Sequence, residues 1–433
     1  MAFYETLARI STDPIVGLLQ LAGKDTSTNK LTAIIGSAAD DGGNLIIPES
    51  VTETAKELAA KGINMEYAPS TGLAGLAELM SLEFIGQKTC EELINNGVHR
   101  AEIVSSAGTN AIATTLLACT NHDDEIITHN PHWAGYDSIV LGIDRKPLVN
   151  FDILDKDDNF NFADFDASIK QIISRNPKTK ITILLNTPYD NPLGKDFGNA
   201  VWDRLAEILA KYSNNEILLV IDTAYIDFGP SGKDYRRLSF LPSLFQKINN
   251  PNFNVVIAAT LSKSFAMYGA RVGVATLLTT NKQNADNWRD IAGGCIRGTF
   301  SNASRFGQEI ALEILKNPAK LACVHQFQED TSKLITKRRE VLLDLISAKL
   351  PEEFKLIKPD SGFFVSLKVS AHKYQDTTYA NALYEKVLAS QLYVPMISSQ
   401  FLRIPVCGLN ESKLTQVIER LAQVAHSMTA NIK

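Results

Sequence analysis

Several apolar runs in the chain lead directly into residues that can do chemistry. NVVIAAT (254–260) runs into Leu-Ser262-Lys263-Ser, and Arg271 follows eight residues after the lysine. EILLVID (216–222) ends in Asp222, with Tyr225 three residues on. KITILLN (180–186) opens into NTPYDNPLG, which carries Asn191. AEIVSS (101–106) leads into Ala107-Gly108-Thr109 at the start of a helical stretch, and DEIITH (124–129) into NPHWAGY with Trp133. A lysine amine can condense with an aldehyde. A carboxylate can hold a cation, and a phenol or an amide can donate to an anionic oxygen. A helix start with hydroxyls and an arginine suits a phosphate, and an indole offers a flat face. In open α/β sheets ligands bind outside the carboxyl ends of the strands, so these groups are expected along one edge.

Each residue alone has an ordinary reading. A lysine after a strand is solvated, Asp222 caps a turn, Tyr225 packs, Gly108-Thr109 enters a helix, and Asn191-Pro192 turns the chain. Together they meet the demands of one cofactor, pyridoxal phosphate. Its aldehyde requires an amine, here Lys263, and its ring nitrogen needs a carboxylate, here Asp222. Its phenolate oxygen needs donors, for which Tyr225 and Asn191 are suited. Its phosphate needs a helix N-terminus and a cation, and its ring needs a partner such as Trp133.

The elements that must position these groups follow from the pattern. Short β-forming apolar runs at 101–106, 124–129, 180–186, 216–222, 254–260 and 271–278 alternate with helical stretches at 109–118, 163–174 and 197–213. That predicts an α/β fold with a mostly parallel central sheet flanked by helices. A helix is predicted over 48–61, with Pro48 at its start and Gly62 past its end. The first 45 residues show no long periodic element. After residue 300 a helical pattern runs from about Arg305 to Lys349, interrupted near Pro318. GFFVSL (362–367), a helix near 377–390, FLRIPV (401–406) and a last helix from Glu411 to about 429 follow. The expected division is a large domain over 48–320 and a smaller α+β domain built from 1–47 and 321–433, meeting at a bend inside the long helix.

With 433 residues, 45% hydrophobic and 21% charged, the chain can bury a large core without disulfide or metal. A formal net charge of -5 argues against a nucleic-acid binder. Five scattered cysteines without a CxxC argue against a zinc site and for a reducing compartment. No apolar run approaches the ~18 residues of a membrane span, and the N-terminus has no signal pattern. The expectation is a cytoplasmic protein with no membrane and no nucleic-acid partner. Gly17 through Gly23-Lys24 is not a phosphate loop: five residues separate the glycines, and Asp25 follows the lysine.

LSKSFAMYGARVG (261–273) resembles the lysine motif of class I aminotransferases, in the aspartate/aromatic branch of the fold-type I pyridoxal-phosphate enzymes. DTAYIDF (222–228) and NPLG (191–194) resemble that family's Asp-x-x-Tyr segment and Asn-Pro-Thr-Gly turn. TDPIVGL (12–18), YAPSTG (67–72), SAGT (106–109), the Trp133 segment, RGTFSN (297–302) and LRIPVCGL (402–409) extend the match in family order across nearly the whole chain.

The resemblance implies an aminotransferase that moves an amino group between an amino acid, aspartate or aromatic, and a 2-oxo acid such as 2-oxoglutarate. Lys263 would hold the cofactor and then carry a proton between substrate Cα and cofactor C4′. Asp222 would pair with the ring nitrogen, Tyr225 and Asn191 with the phenolate oxygen, and Trp133 would stack on the ring. Ala107, Gly108, Thr109, Thr260, Ser262 and Arg271 would hold the phosphate, with Tyr67 reaching over from a second subunit. Arg403 would grip the α-carboxylate, and Gly36 would let the N-terminal segment approach the substrate. Arg297 would come from the partner of a homodimer to bind a distal carboxylate. Three departures stand out: Asp190 replaces the family's histidine before the Asn-Pro turn, Leu193 its threonine, and no aromatic follows Gly36 in GSAADDGG. The first two are expected near the ring and the substrate entrance. His129 and His132 are expected to be structural or solvent-facing, with no metal site.

The same motifs serve β-lyases and decarboxylases of this fold, so those remain the alternative. A regulator with an aminotransferase-like sensor domain would need a DNA-binding module, and the residues before the first helix are too few and not basic enough.

Overall fold

The computed structural model describes residues 14–230, 238–369 and 377–430. Thr12 and Asp13 of the TDPIVGL segment therefore lie outside the described residues. The apolar runs form one seven-stranded sheet: β1 (His99–Ser105), β2 (Ile126–Asn130), β3 (Val149–Asp152), β4 (Ile181–Asn186), β5 (Ile217–Asp222), β6 (Phe253–Thr260) and β7 (Gly273–Thr279). Their order across the sheet is β1-β7-β6-β5-β4-β2-β3. The strands from β6 to β3 pair in parallel, whereas β7 runs antiparallel to both of its neighbours. Every residue of β4 and β5 is buried, as expected of strands covered on both faces. β3 carries no apolar run, its burial alternating along VNFD, and for that reason it escaped the sequence reading.

Register aligns the carboxyl ends. Asn186 pairs with Asp222, and Asp222 with Ala258. β6 runs on to Thr260, where a short helical turn, Leu261–Ser264, presents Lys263. The reversed β7 begins at this same edge, so Gly273 pairs with both Thr260 and Ser105 and Arg271 arrives beside them. One antiparallel strand thus delivers its N-terminal residues to an edge where its neighbours deliver their C-terminal ones.

A second, four-stranded antiparallel sheet comprises β8 (Phe354–Ile357), β9 (Phe364–Val369), β10 (Met396–Ile397) and β11 (Phe401–Pro405), in the order β10-β11-β9-β8. The N-terminal segment joins this part of the chain, Leu31–Thr32 pairing in parallel with Leu392–Tyr393. The core of the large sheet consists of two clusters, one on each face, and a separate core gathers Leu31, Ala33 and Ala38 with residues of the C-terminal part. Pro14–Lys24 is helical although no periodicity marks it. Its apolar residues occupy all faces, and only Leu18 and Ala22 are buried.

The helices that bear on the site are α1 (Ala107–Cys119), α2 (Gly135–Gly142), α3 (Lys282–Thr299), α4 (Arg305–Lys316) and α5 (Pro318–Lys349). The expected bend inside one long helix is instead a break between α4 and α5. The Asn317 side chain accepts from the amides of Ala319 and Lys320, and Pro318 takes the first helical position, where its missing N–H costs nothing.

Gly273 is the tightest point of the edge. A Cβ there would lie 2.7 Å from the carbonyl carbon of Ala107 and 2.7 Å from the carbonyl oxygen of Ala259. Gly273→Ala should therefore destabilise the protein by about 1–3 kcal/mol, read as a lower urea midpoint at unchanged slope. An unchanged midpoint would show that the start of α1 can retreat from the strand.

Candidate active site

The aligned strand ends line a cavity beneath the N-terminal segment and β9. Gly36, Ala107, Gly108, Thr109, Trp133, Asn191, Asp222, Tyr225, Thr260, Ser262, Lys263, Arg271 and Arg403 all line it. Of the residues given a cofactor or substrate role by the resemblance, Tyr67 and Arg297 are absent from its wall. Tyr67 is 78% exposed. Arg297 is exposed on α3, its guanidinium donating to Ser301 Oγ at 2.5 Å.

At one end of the cavity, α1 begins with Ala107 in the left-handed region at φ 63°. Gly108 lets this helix start approach Thr260, a Cβ there meeting the Thr260 side chain at 3.4 Å. Thr260 Oγ donates to Ser262 Oγ at 2.9 Å, and the Arg271 guanidinium donates to Ser262 Oγ at 3.3 Å and to the Tyr268 carbonyl at 3.0 Å. Among the described residues no carboxylate pairs with Arg271, and burial lowers its pKa. A cation beside hydroxyls and a helix N-terminus is a receptor for a compact anion.

In the middle stand Asp222 and Lys263. Asp222 Oδ1 accepts from the Ala224 amide at 3.1 Å and Oδ2 from the Tyr136 hydroxyl at 2.8 Å. Burial pushes the carboxyl up to about 6, against the pull of those bonds and of Lys263. Burial likewise brings the Lys263 amine down to about 8, with Arg271 and Arg403 adding repulsion and Asp222 opposing it. The nearby Cys407 thiol is itself pushed up to about 12 by burial, so it is neutral near pH 7 and does not hold the lysine charged. The amine also lies 4.8 Å from the centre of the Tyr268 ring. Tyr268 Oη in turn accepts from the Ala38 amide at 3.0 Å, tying the lysine turn to the N-terminal segment.

An amide chain fixes the adjoining wall. Asn186 Nδ2 donates to the Asp222 carbonyl at 2.9 Å, and Asn186 Oδ1 accepts from the Asn191 amide at 2.7 Å. Asn191 Nδ2 lies 3.5 Å from Tyr225 Oη, and its Oδ1 accepts from Arg403 at 3.3 Å. Arg403 also donates to the Ile34 carbonyl, and its guanidinium lies 4.3 Å from the centre of the Phe364 ring. Gly36 crosses that same ring, where a Cβ would meet it at 2.6 Å. Glycine is therefore required for the N-terminal segment to pass so close to the arginine.

Asp190 and Leu193 are not where the sequence suggested. Both are buried behind the cavity wall and line no part of it. Asp190 accepts from the amides of Leu193 at 3.1 Å and Lys195 at 2.8 Å, so its carboxylate builds the turn that presents Asn191. Burial pushes it up to about 7. Gly194 follows, and a Cβ there would lie 2.5 Å from the Ser361 carbonyl oxygen and 3.0 Å from that of Phe364. His129 and His132 are both buried rather than solvent-facing. His129 Nδ1 bonds the Pro131 carbonyl at 2.7 Å and His132 Nδ1 the His129 carbonyl at 2.9 Å, which makes them part of the framework under Trp133.

Ile15, Ile34, Asn186, Ala224 and Phe364 line the cavity without having been singled out. Tyr136, one residue past the segment's glycine, bonds the key carboxylate. Asn186 had a signal, since it ends a strand as Asp222 does. Tyr136 and Phe364 had none, because their aromatic rings read as ordinary core.

A sequence profile described as Aminotransferase class I and II matches residues 35–421. The mitochondrial aspartate aminotransferase of Schizosaccharomyces pombe is 25% identical over 423 residues, covering 97% of this chain and 89% of that one. An aminotransferase from Anaerococcus prevotii superposes with a TM-score of 0.82 at 23% identity, over 98% of both chains. The aromatic-amino-acid aminotransferase of Burkholderia pseudomallei, solved covalently bound to pyridoxal phosphate, superposes at 0.76 and 22% identity, over 98% of this chain and 100% of that one. No helix among the described residues is long and apolar enough to cross a membrane.

The lowered amine has a direct readout. In the cofactor-free protein, peptide-resolved acetylation of Lys263 should rise with pH through a midpoint of about 8, because only the neutral amine reacts. A midpoint near the ordinary lysine value of 10.5 would show that the amine is solvated.

Proposed function

The chain belongs to the class I and II aminotransferases, and from that premise we propose that this cavity exchanges an amino group between aspartate or an aromatic amino acid and a 2-oxo acid such as 2-oxoglutarate. The observation that carries the reading is the meeting in one cavity of a depressed lysine, a buried carboxyl and an arginine with which no carboxylate among the described residues pairs. The family's cofactor is pyridoxal 5′-phosphate, and the residues present fit it. Arg271, Ser262, Thr260 and the α1 start at Ala107, Gly108 and Thr109 would hold the phosphate. Asp222 would face the ring nitrogen, Trp133 the ring, and Tyr225 with Asn191 the phenolate oxygen. When bound, the cofactor supplies an aldehyde that takes up amines and an electron-poor ring that accepts charge from substrate Cα.

The chain's own groups would do the rest. Lys263, with a pKa of about 8, can serve as base near neutral pH, taking the proton from substrate Cα and returning it on the other side of the reaction. Arg403, braced by Asn191 and the Ile34 carbonyl, orients the α-carboxylate so that the Cα–H bond faces that amine. Ile15 and Ile34 give the mouth an apolar side suited to an aromatic substrate. An exposed Arg297 supports the reading that a partner subunit lends this cation to a distal carboxylate, as exposed Tyr67 would be lent to the phosphate. The enzyme is thus read as a homodimer with shared sites. The two hydrophobic cores support a large domain over 48–320 and a small one from 1–47 and 321–433. Five unpaired cysteines favour a reducing compartment, read as the cytoplasm. The Schizosaccharomyces pombe relative is named as mitochondrial.

Two experiments test this. Wild-type enzyme given aspartate and 2-oxoglutarate should form glutamate without releasing ammonia. Lys263→Ala should lose both turnover and the borohydride-fixed attachment of cofactor, and retained turnover would refute the assignment. Mixed Lys263→Ala and Arg297→Ala subunits should form hybrids with one intact site and regain dicarboxylate turnover that neither parent shows. Failure to regain it, with dimers present in sedimentation, would place Arg297 outside the site.

A further inference from the structure

We propose that Tyr136 is a positioning residue that keeps the shared proton on the cofactor's ring nitrogen rather than on Asp222. The inference rests on the reading of Asp222 above and extends it to Tyr136, which the sequence did not single out.

The geometry is specific. Tyr136 is fully buried, and its hydroxyl donates to Asp222 Oδ2 at 2.8 Å. Among the described residues the only other donor to that carboxylate is the Ala224 amide, on Oδ1. A hydrogen bond to a carboxylate favours its charged form, the more so in a buried site. Burial alone drives Asp222 the other way, toward the neutral acid. When a basic ring nitrogen faces this carboxyl, one proton lies between them, and the donor decides which side it occupies. With Tyr136 present the carboxylate is the better anion and the proton stays on the ring. Without it the proton moves toward Asp222, and the ring becomes a weaker acceptor of charge.

Tyr136 can only donate in this bond. Burial and the facing Asp222 raise its own pKa well above the tyrosine value, with Tyr225 and Asp190 adding smaller pushes the same way. The remaining groups around the pair do not replace it. Lys263 faces Asp222 from the β6 turn and would be engaged with the cofactor. His132 stacks on the Tyr136 ring at 5.9 Å and bonds Asp137, and His129 is held neutral by burial, with a pKa of about 3. The ring is also fixed by its edge contact with Trp133, at 5.6 Å and 77°. Gly135 makes that packing possible, since a Cβ there would strike the Trp133 ring at 2.3 Å. One side chain therefore braces the stacking indole and biases the acid below it.

The test uses holoenzyme reconstituted with pyridoxal phosphate labelled with nitrogen-15 in the ring. Its chemical shift reports whether the nitrogen carries the proton. In wild type the nitrogen should remain protonated into the alkaline range. In Tyr136→Phe the midpoint of its deprotonation should fall by about one pH unit or more, a tenfold shift worth about 1.4 kcal/mol. Site-specific replacement of Tyr136 by a difluorotyrosine, a stronger donor of the same shape, should raise it. Equal midpoints in folded wild type and either variant would overturn the proposal, as would a wild-type ring nitrogen already unprotonated at neutral pH. If wild type takes up no cofactor on Lys263, the failure belongs to the functional reading instead.

Discussion

Three cationic side chains, Lys263, Arg271 and Arg403, line one cavity with a single carboxyl, Asp222. Loss of solvent disfavours the charges of Lys263, Asp222 and Arg271. Lysine answers by giving up its proton readily, Asp222 by holding one longer than usual, and Arg271 by standing ready for an anion. The rest of the large sheet serves to keep these groups in that unfavourable arrangement. Parallel register brings Asn186 and Asp222 level, and the reversed β7 brings in Arg271. Such an arrangement is pre-organised for a ligand that carries both an anion and a cationic nitrogen.

The N-terminal segment and the C-terminal part of the chain contribute by stitching. The Ile34 carbonyl meets Arg403, Gly36 crosses Phe364, the Ala38 amide reaches Tyr268, and Arg338 on α5 donates to the Ala39 and Cys407 carbonyls. Arg338 is almost fully buried, and its remaining partner is the exposed Asp41. Residues 34 to 41 are thus held from both cores at once. That is why a stretch with almost no regular secondary structure can shape one wall of the cavity.

Much of this was legible in the residues. The buried strands announce themselves as apolar runs because both faces are covered, and the chemistry lies at or near one end of several of these runs. Lys263, Asp222 and Arg271 were readable for that reason. The illegible parts depend on tertiary approach. β3 has too few apolar residues to stand out, and the helix Pro14–Lys24 has too many on every face. Tyr136 looks like a core aromatic until the fold brings it to a carboxylate 86 residues away. Asp190 invited a role at the ring because it departs from the pattern. It proves to be a turn builder, because a carboxylate in a tight turn finds backbone amides before it finds a ligand.

The Asp190 turn also bears on how this cavity could change size. Gly194 is wedged against the carbonyls of Ser361 and Phe364, and the Ser366 hydroxyl donates to the Pro192 carbonyl at 2.7 Å. The loop and β9 are therefore interlocked along their length, and Phe364 forms the floor under Arg403. Enlarging the chamber by moving that floor would drag the loop, and Asn191 with it, away from Tyr225. Room for bulkier guests is more cheaply found at half-buried Ile15, whose side chain can be trimmed with less disturbance to the scaffold than that of buried Ile34.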